Sequence, residues 1–165
     1  MYYSGFYPMQ LALLTVADNL MPLAWWTPIS KAPFRLLLAI DQKNHSLNLI
    51  RTHREAVLNF MPWGERERVV RAGYLSGRRV RKAERLGFHL KSAAKLACTG
   101  VVEGASVAFE LAVMAELEGL SGDHAPFVFE VVHVHRKLRR VTREPILFLG
   151  YRNFATLGED WSFKP

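Results

Sequence analysis

A mainly β fold, an antiparallel barrel carrying short helical insertions, is what this sequence predicts. Three observations lead there. Apolar runs of strand length recur between turn residues, two later segments alternate apolar with polar residues, and the long βαβ spacing of a doubly wound parallel sheet is missing between most neighbours. Half of the 165 residues are hydrophobic, so the chain suits one domain with a real core, residues 1–165. Neither a glycine-rich dinucleotide fingerprint nor a P-loop occurs.

Residues 11–16 form an apolar run closed by Asp18-Asn19, a turn signal. Residues 22–28 read as a second strand, spaced as a hairpin partner. Pro28 and Pro33 bound the next connection, because proline cannot donate to a ladder. A continuous apolar strand follows over 35–40. Leu47 and Ile50 predict a helix over 45–53, and a strand over 56–60 stops before Pro62. Two short polar helices are expected at 65–72 and 79–86, with Gly73 and Gly77 as breakers and Gly87 closing the second. Residues 88–96 connect. In 106–118 the alternation of Val107, Phe109, Leu111 and Val113 predicts a strand; 119–123 turns, and the alternating run 127–135 returns antiparallel. An apolar segment at 145–150 follows, and the strands number about six.

The formal charge of +7 gathers in residues 66–85 and 136–140. Glu65, Glu67 and Glu84 interleave the first cluster, and the second follows a strand as a solvated turn would. A solvent-exposed basic face is therefore the leading reading, ahead of a site for a phosphate-bearing cofactor. Nucleic acid is expected to be no partner, since no strand interleaves aromatic and basic residues as RNA-reading sheets do. The apolar runs 9–17 and 20–26 are too short for a bilayer span, and no basic segment precedes a signal-like core, so no membrane association and a cytoplasmic location are expected. Cys98, the single cysteine, excludes an internal disulfide, and its apolar neighbours predict a buried, inert thiol. His133 and His135 share a strand face without a third ligand at convincing spacing, so no metal site is expected.

The chemistry concentrates in residues 22–53. Trp25 and Trp26 end on a Thr27-Pro28 turn, and the strand after them feeds Lys43-Asn44-His45-Ser46, a helix start. Helix N-termini present unpaired N–H groups and a positive dipole end, and so accept phosphate. A stacking surface beside such a start suits a planar aromatic cofactor with a phosphate tail. Alternation sends the two tryptophans to opposite faces, so at most one meets such a ring; both also read as core or interface residues, and Asn44 or Ser46 also reads as a plain helix cap.

These residues belong to a longer pattern. Met21-Pro22-Leu23-Ala24-Trp25-Trp26-Thr27-Pro28-Ile29-Ser30 is followed by Ala32-Pro33, then Asn44-His45-Ser46-Leu47-Asn48-Leu49-Ile50 and Glu55-Ala56-Val57-Leu58-Asn59. Gly122-Asp123-His124 leads into Phe129-Glu130-Val131, and Pro145-Ile146-Leu147-Phe148-Leu149-Gly150-Tyr151 comes last. In this order the pieces resemble the flavin reductase-like, FMN-binding split-barrel family, which includes flavoredoxin-type members. The resemblance implies a split antiparallel β-barrel, FMN as cofactor, NADH or NADPH as hydride donor, and free flavin, ferric iron or a protein as electron acceptor. A homodimer is implied too. The alternative is a non-catalytic FMN-binding protein for storage or sensing.

The resemblance also implies roles. Ala24, Trp25, Trp26 and Thr27 would face the ring; Asp41, Gln42, Lys43 and Asn44 would hold the ribityl chain and phosphate, with Ser46 adding a hydroxyl. Arg78, Arg79 or Arg81 would reach the phosphate from a following loop. His124 is the catalytic candidate, donating to the flavin or meeting the nicotinamide, with a turn histidine bonded only to its loop as the alternative. Tyr151 and Arg152 would border the cofactor from a partner subunit. Three residues depart from the family pattern: Ala24 for a serine, Leu49 for an asparagine, and Phe129 for a glycine, where bulk is expected to narrow the space beside the ring.

Overall fold

Hydrophobic patterning sorts the chain into two apolar layers on either side of one curled sheet. The computed structural model describes residues 4–120, 122–136 and 144–158. Its main sheet holds seven antiparallel strands: β1 (Ala12–Val16), β2 (Asn19–Leu23), β3 (Trp26–Lys31), β4 (Phe34–Asp41), β5 (Glu55–Phe60), β6 (Val107–Glu116) and β7 (His124–Arg136). Their order in space is β2-β1-β5-β6-β7-β4-β3. Inside the curl, Leu36, Leu38 and Ile40 of β4 meet Ala125, Phe127 and Phe129 of β7 on the two-residue period of a half-buried strand. Leu47 and Ile50 of helix α1 (His45–His53) join the same core.

The second layer lies outside β1 and β2. There Leu11, Leu13 and Leu20 pack with Val69 of α2 (Arg66–Arg71) and Phe88, which follows α3 (Lys82–Leu86). Strand β1 is thus buried on both faces, which is why its sequence is apolar apart from Thr15 rather than alternating. Lys82, 5% exposed, is held by donating Nζ–H bonds to the carbonyls of Leu20 (2.7 Å) and Ala72 (2.8 Å). Burial pushes its ammonium below the ordinary lysine value. On the surface the interleaved glutamates neutralise part of the first basic cluster, pairing Arg68 with Glu65, Arg71 with Glu67 and Arg81 with Glu84. Beyond Arg136, the second cluster lies outside the described residues.

One sequence expectation changes here. The strand expected over 22–28 is two strands, because the chain folds back at Ala24: the Trp26 N–H donates to the Ala24 carbonyl (3.0 Å) and the Ala39 N–H to the Trp25 carbonyl (3.0 Å). This break turns the chain from the edge beside β1 to the edge beside β4. The barrel is split, as the resemblance implies, with β2 and β3 as its two margins. Pro22 and Pro28 fall on these margins, and β3 is further disturbed by a register shift between Pro28 and Ser30.

The outer face of β5 and β6 is polar and still buried. Asn59 donates to the Leu13 carbonyl (2.9 Å) and Thr15 Oγ1 (2.6 Å) and accepts from the Val102 N–H (2.9 Å). Glu55 accepts from the N–H groups of Ala97 (3.0 Å) and Cys98 (2.6 Å). Glu110, wholly buried, accepts from Ala94 (2.6 Å), Lys95 (2.7 Å) and the His135 ring (2.5 Å). Burial alone would push the Glu110 carboxyl up; these donors outweigh it and hold it below the ordinary value. Two carboxylates thus fasten the 94–98 loop by its backbone. Leu96 of this loop packs against the cluster of Val57, Val101 and Ala108, while Cys98 is exposed rather than buried.

Candidate functional site

The turn before α1 organises the site. Asp41 Oδ1 accepts from the Lys43 N–H (2.7 Å), and Asn44, extended at φ −74°, ψ 137°, caps α1 by accepting from the Ser46 N–H (2.9 Å). Gln42 ties this turn to the β6–β7 loop through its N–H to the Asp123 carbonyl (3.0 Å) and its side-chain amide to the Gly122 carbonyl (2.9 Å). That tie sets His124 against Trp25, rings stacked at 4.4 Å and 30°. The Asp123 carboxylate sits 2.8 Å from His124 Nδ1, and this hydrogen bond holds the carboxyl below its usual range.

A cleft of about 730 Å³ opens here. Ala24, Trp25, Asp41, Asn44 and His124, all expected from the sequence, line it together. Val70, Gly73 and Tyr74 close one side from α2 and the turn after it. Phe148 and Phe154 come from a small sheet in which Met9–Gln10 pairs with Leu147–Phe148 and that with Phe154–Ala155. Phe6 and Tyr7 precede that sheet and complete the lining.

Other expected residues lie elsewhere. Trp26 turns to the opposite side from the cleft, edge-on to Phe60 at 5.2 Å in the core, its indole N–H on the Gln10 carbonyl (2.9 Å). Thr27 faces a shallower apolar groove with Leu37 and Met9. Gln42 and Lys43 serve the turn through the bonds given above. The Ser46 hydroxyl is buried, accepting from Asn19 Nδ2 (2.8 Å). Tyr151 and Arg152 are exposed in the turn between Phe148 and Phe154 and do not line the cleft. Phe129, expected to narrow the space beside the ring, lies wholly in the core instead.

Arg78, Arg79 and Arg81 line a second, smaller cleft of about 230 Å³ with Asp18, Asn19 and Gly77. It abuts the start of α1: a Cβ on Gly77 would lie 2.1 Å from Asn19 Oδ1 and 3.2 Å from the His45 ring. Asn19 Oδ1 and His45 Nδ1 are both buried without a hydrogen-bond partner. Side by side, an aromatic-lined cleft and a helix start flanked by arginines can hold a planar group and an anionic tail at once. Among the described residues no group of three or more His, Cys, Asp or Glu is placed to hold a metal ion, and no helix is long and apolar enough to cross a membrane.

Sequence reasoning missed Tyr74, Phe148 and the N-terminal aromatics as cleft residues, since nothing local marks where the chain will place them. Asp123 was within reach, standing beside His124 in a quoted motif.

The family model described as flavin reductase like domain matches residues 3–158. A protein of unknown character from Archaeoglobus fulgidus is 30% identical over 131 residues, 78% of this chain and 72% of its own length. Among solved structures, an FMN-binding protein from Thermus thermophilus with bound 1-cyclohex-2-enone superposes with a TM-score of 0.87 at 26% identity, covering 99% of this chain and 94% of its own. The flavoredoxin of Desulfovibrio vulgaris (Miyazaki F) shares the fold, with a TM-score of 0.84 at 19% identity over 99% of this chain and 97% of its own.

Proposed function

Since this chain belongs to the flavin reductase-like family, we propose that it is an FMN-binding oxidoreductase that takes hydride from NADH or NADPH and delivers electrons to free flavin, ferric iron or a protein acceptor. The observation that supports this most is the Trp25–His124 stack opening into a large cleft beside the start of α1. FMN supplies the redox-active ring; the protein supplies position and electrostatics. Trp25 covers one face of the ring, and the backbone at Ala24 meets its polar edge. The Asp41 carboxylate accepts from ribityl hydroxyls, and the start of α1 with Arg78 or Arg79 neutralises the phosphate. With Nδ1 turned to Asp123, His124 keeps Nε2 for a proton at the cleft. In this reading the chain acts as one domain in a cytoplasmic homodimer, the partner bringing its own turn at Tyr151 and Arg152 to the cleft mouth.

The test is the visible spectrum of the purified protein with added FMN, before and after anaerobic NADH or NADPH. Binding with bleaching is expected. Failure to bind FMN overturns the reading, and binding without bleaching leaves the storage or sensing alternative. Trp25→Ala is expected to weaken FMN by about tenfold, the loss of one aromatic contact and its buried area. Trp26→Ala is expected instead to lower stability by about 3 kcal/mol, and Cys98→Ala to change neither.

A further inference from the structure

We propose that Lys82 is a positioning residue of the cleft: its buried ammonium sets how far the wall of Val70, Gly73 and Tyr74 stands from the wall of Met21, Pro22 and Leu23. Both walls line the cleft, and Lys82 itself does not. The proposal rests on the flavin reading above and adds a residue that acts from behind the lining. Lys82 Nζ bridges two elements, donating to the Leu20 carbonyl of β2 at 2.7 Å and to the carbonyl of Ala72, the C-cap of α2, at 2.8 Å. Each acceptor directly precedes a lining residue, Leu20 before Met21 and Ala72 before Gly73. Short hydrogen bonds tolerate little stretching, so sharing one nitrogen limits how far the two carbonyls can part.

The two walls also meet directly. A Cβ on Gly73 would stand 2.9 Å from Pro22 Cγ and 3.3 Å from the Val70 carbonyl oxygen, so the seam is closed to any side chain. Beyond it Tyr74 is 67% exposed. The backbone beneath Tyr74, rather than packing around its ring, therefore sets where the ring stands. Filling this space does not call for a charge: an apolar chain of similar length would occupy it without the cost of desolvating an ammonium. No carboxylate of the described residues forms an ion pair with Lys82. What the ammonium adds is direction. It meets a carbonyl at the end of α2, where intrahelical donors run out and the helix dipole favours a cation.

The test measures FMN and riboflavin affinity by fluorescence titration for wild type, Lys82→Met, Tyr74→Ala and the double variant, at a temperature where all are folded. Each single variant is expected to weaken both flavins by about three- to tenfold, the worth of one aromatic contact. The double variant is expected to bind no worse than the poorer single one, because both changes remove the same contact. Factors that multiply in the double variant, a loss confined to FMN, or wild-type affinity in either single variant overturns the proposal. A second measurement needs no flavin. The Gly73 and Tyr74 N–H groups donate to the Val70 and Arg71 carbonyls, each at 3.0 Å, and Lys82→Met is expected to speed their hydrogen exchange by about tenfold or more. The Arg54 N–H, bonded to the Ile50 carbonyl at the end of α1 (2.8 Å), is expected to keep its rate. Equal acceleration at both places is general loosening and overturns the proposal, as does no acceleration at all. Lys82→Gln, with a donor on a shorter arm, takes the place of Lys82→Met should the latter not fold. Failure of the flavin reading shows separately, as a wild type that binds neither flavin, and the exchange result then decides the role of Lys82 by itself.

Discussion

Gly77→Ala tests the link between the arginine loop and the helix start. The new methyl carbon would stand 2.1 Å from Asn19 Oδ1 and 2.7 Å from Asn19 Cγ. Asn19 is 4% exposed and donates to Ser46 Oγ at 2.8 Å, so its amide cannot swing aside without breaking that bond. Relief must come from the loop lifting off or from that hydrogen bond. Overpacking of this kind costs about 1–3 kcal/mol, and for a domain of this size each kcal/mol lowers Tm by about 2–4 °C, so a drop of roughly 3–10 °C is expected. A lifted loop also withdraws Arg78 and Arg79 from a phosphate at α1; losing one charge-assisted bond of about 1.5–3 kcal/mol weakens FMN by at least tenfold. Riboflavin, which lacks the phosphate, is expected to weaken far less. Thermal melts of the flavin-free protein and fluorescence titrations with both flavins measure this, with Gly64→Ala as control because a Cβ there meets nothing within 4 Å. A Gly77→Ala protein that melts like wild type, or that loses FMN and riboflavin equally, would refute the placement of the loop.

Glu110→Gln is expected to cost about 2 kcal/mol at neutral pH, since two amide donors and His135 then face a neutral acceptor. The folded Glu110 value lies below the ordinary 4.5, so its contribution is complete above 4.5 and fades as pH falls through the folded value; urea melts of wild type and variant are expected to converge in acid. Lys82→Met tests the opposite end of the scale. The folded Lys82 value lies below 10.5, so just below that pH the unfolded chain binds more protons. Wild-type stability therefore rises with pH through that window, while the variant stays flatter; a wild type without this rise would contradict a desolvated ammonium.

How much of this was legible in the sequence follows the range of the forces involved. The strand partners β6 and β7 were readable because alternation records which side of a sheet is dry. Helix α1 and its Asn44 cap were readable for a similarly local reason: a capping side chain acts two residues away. The separate fates of Trp25 and Trp26 also followed from neighbouring positions facing opposite ways. The break at Ala24 was not legible, because it depends on Ala39 of another strand taking the Trp25 carbonyl. Glu55 and Glu110 were invisible as buried groups for the same reason: their partners are main-chain amides of a remote loop, which leave no mark on residue type. Cys98 was misjudged because apolar neighbours on a loop held by its backbone need not enter a core. At the cleft, the motif residues around Trp25 and His124 were recoverable, whereas Tyr74 and Phe148 arrive through tertiary packing alone.

The prolines at the two open margins have a consequence for how copies of this chain meet. Pro22 and Pro28 each remove an amide donor from an outermost strand, and the irregular register around Pro28 bends that strand out of line. Neither rim offers an unbroken row of donors on which a foreign strand could zip, so fibre-like stacking is interrupted at its first step from both sides. Self-association is thereby steered to contacts between side chains on the broad surfaces of the sheet.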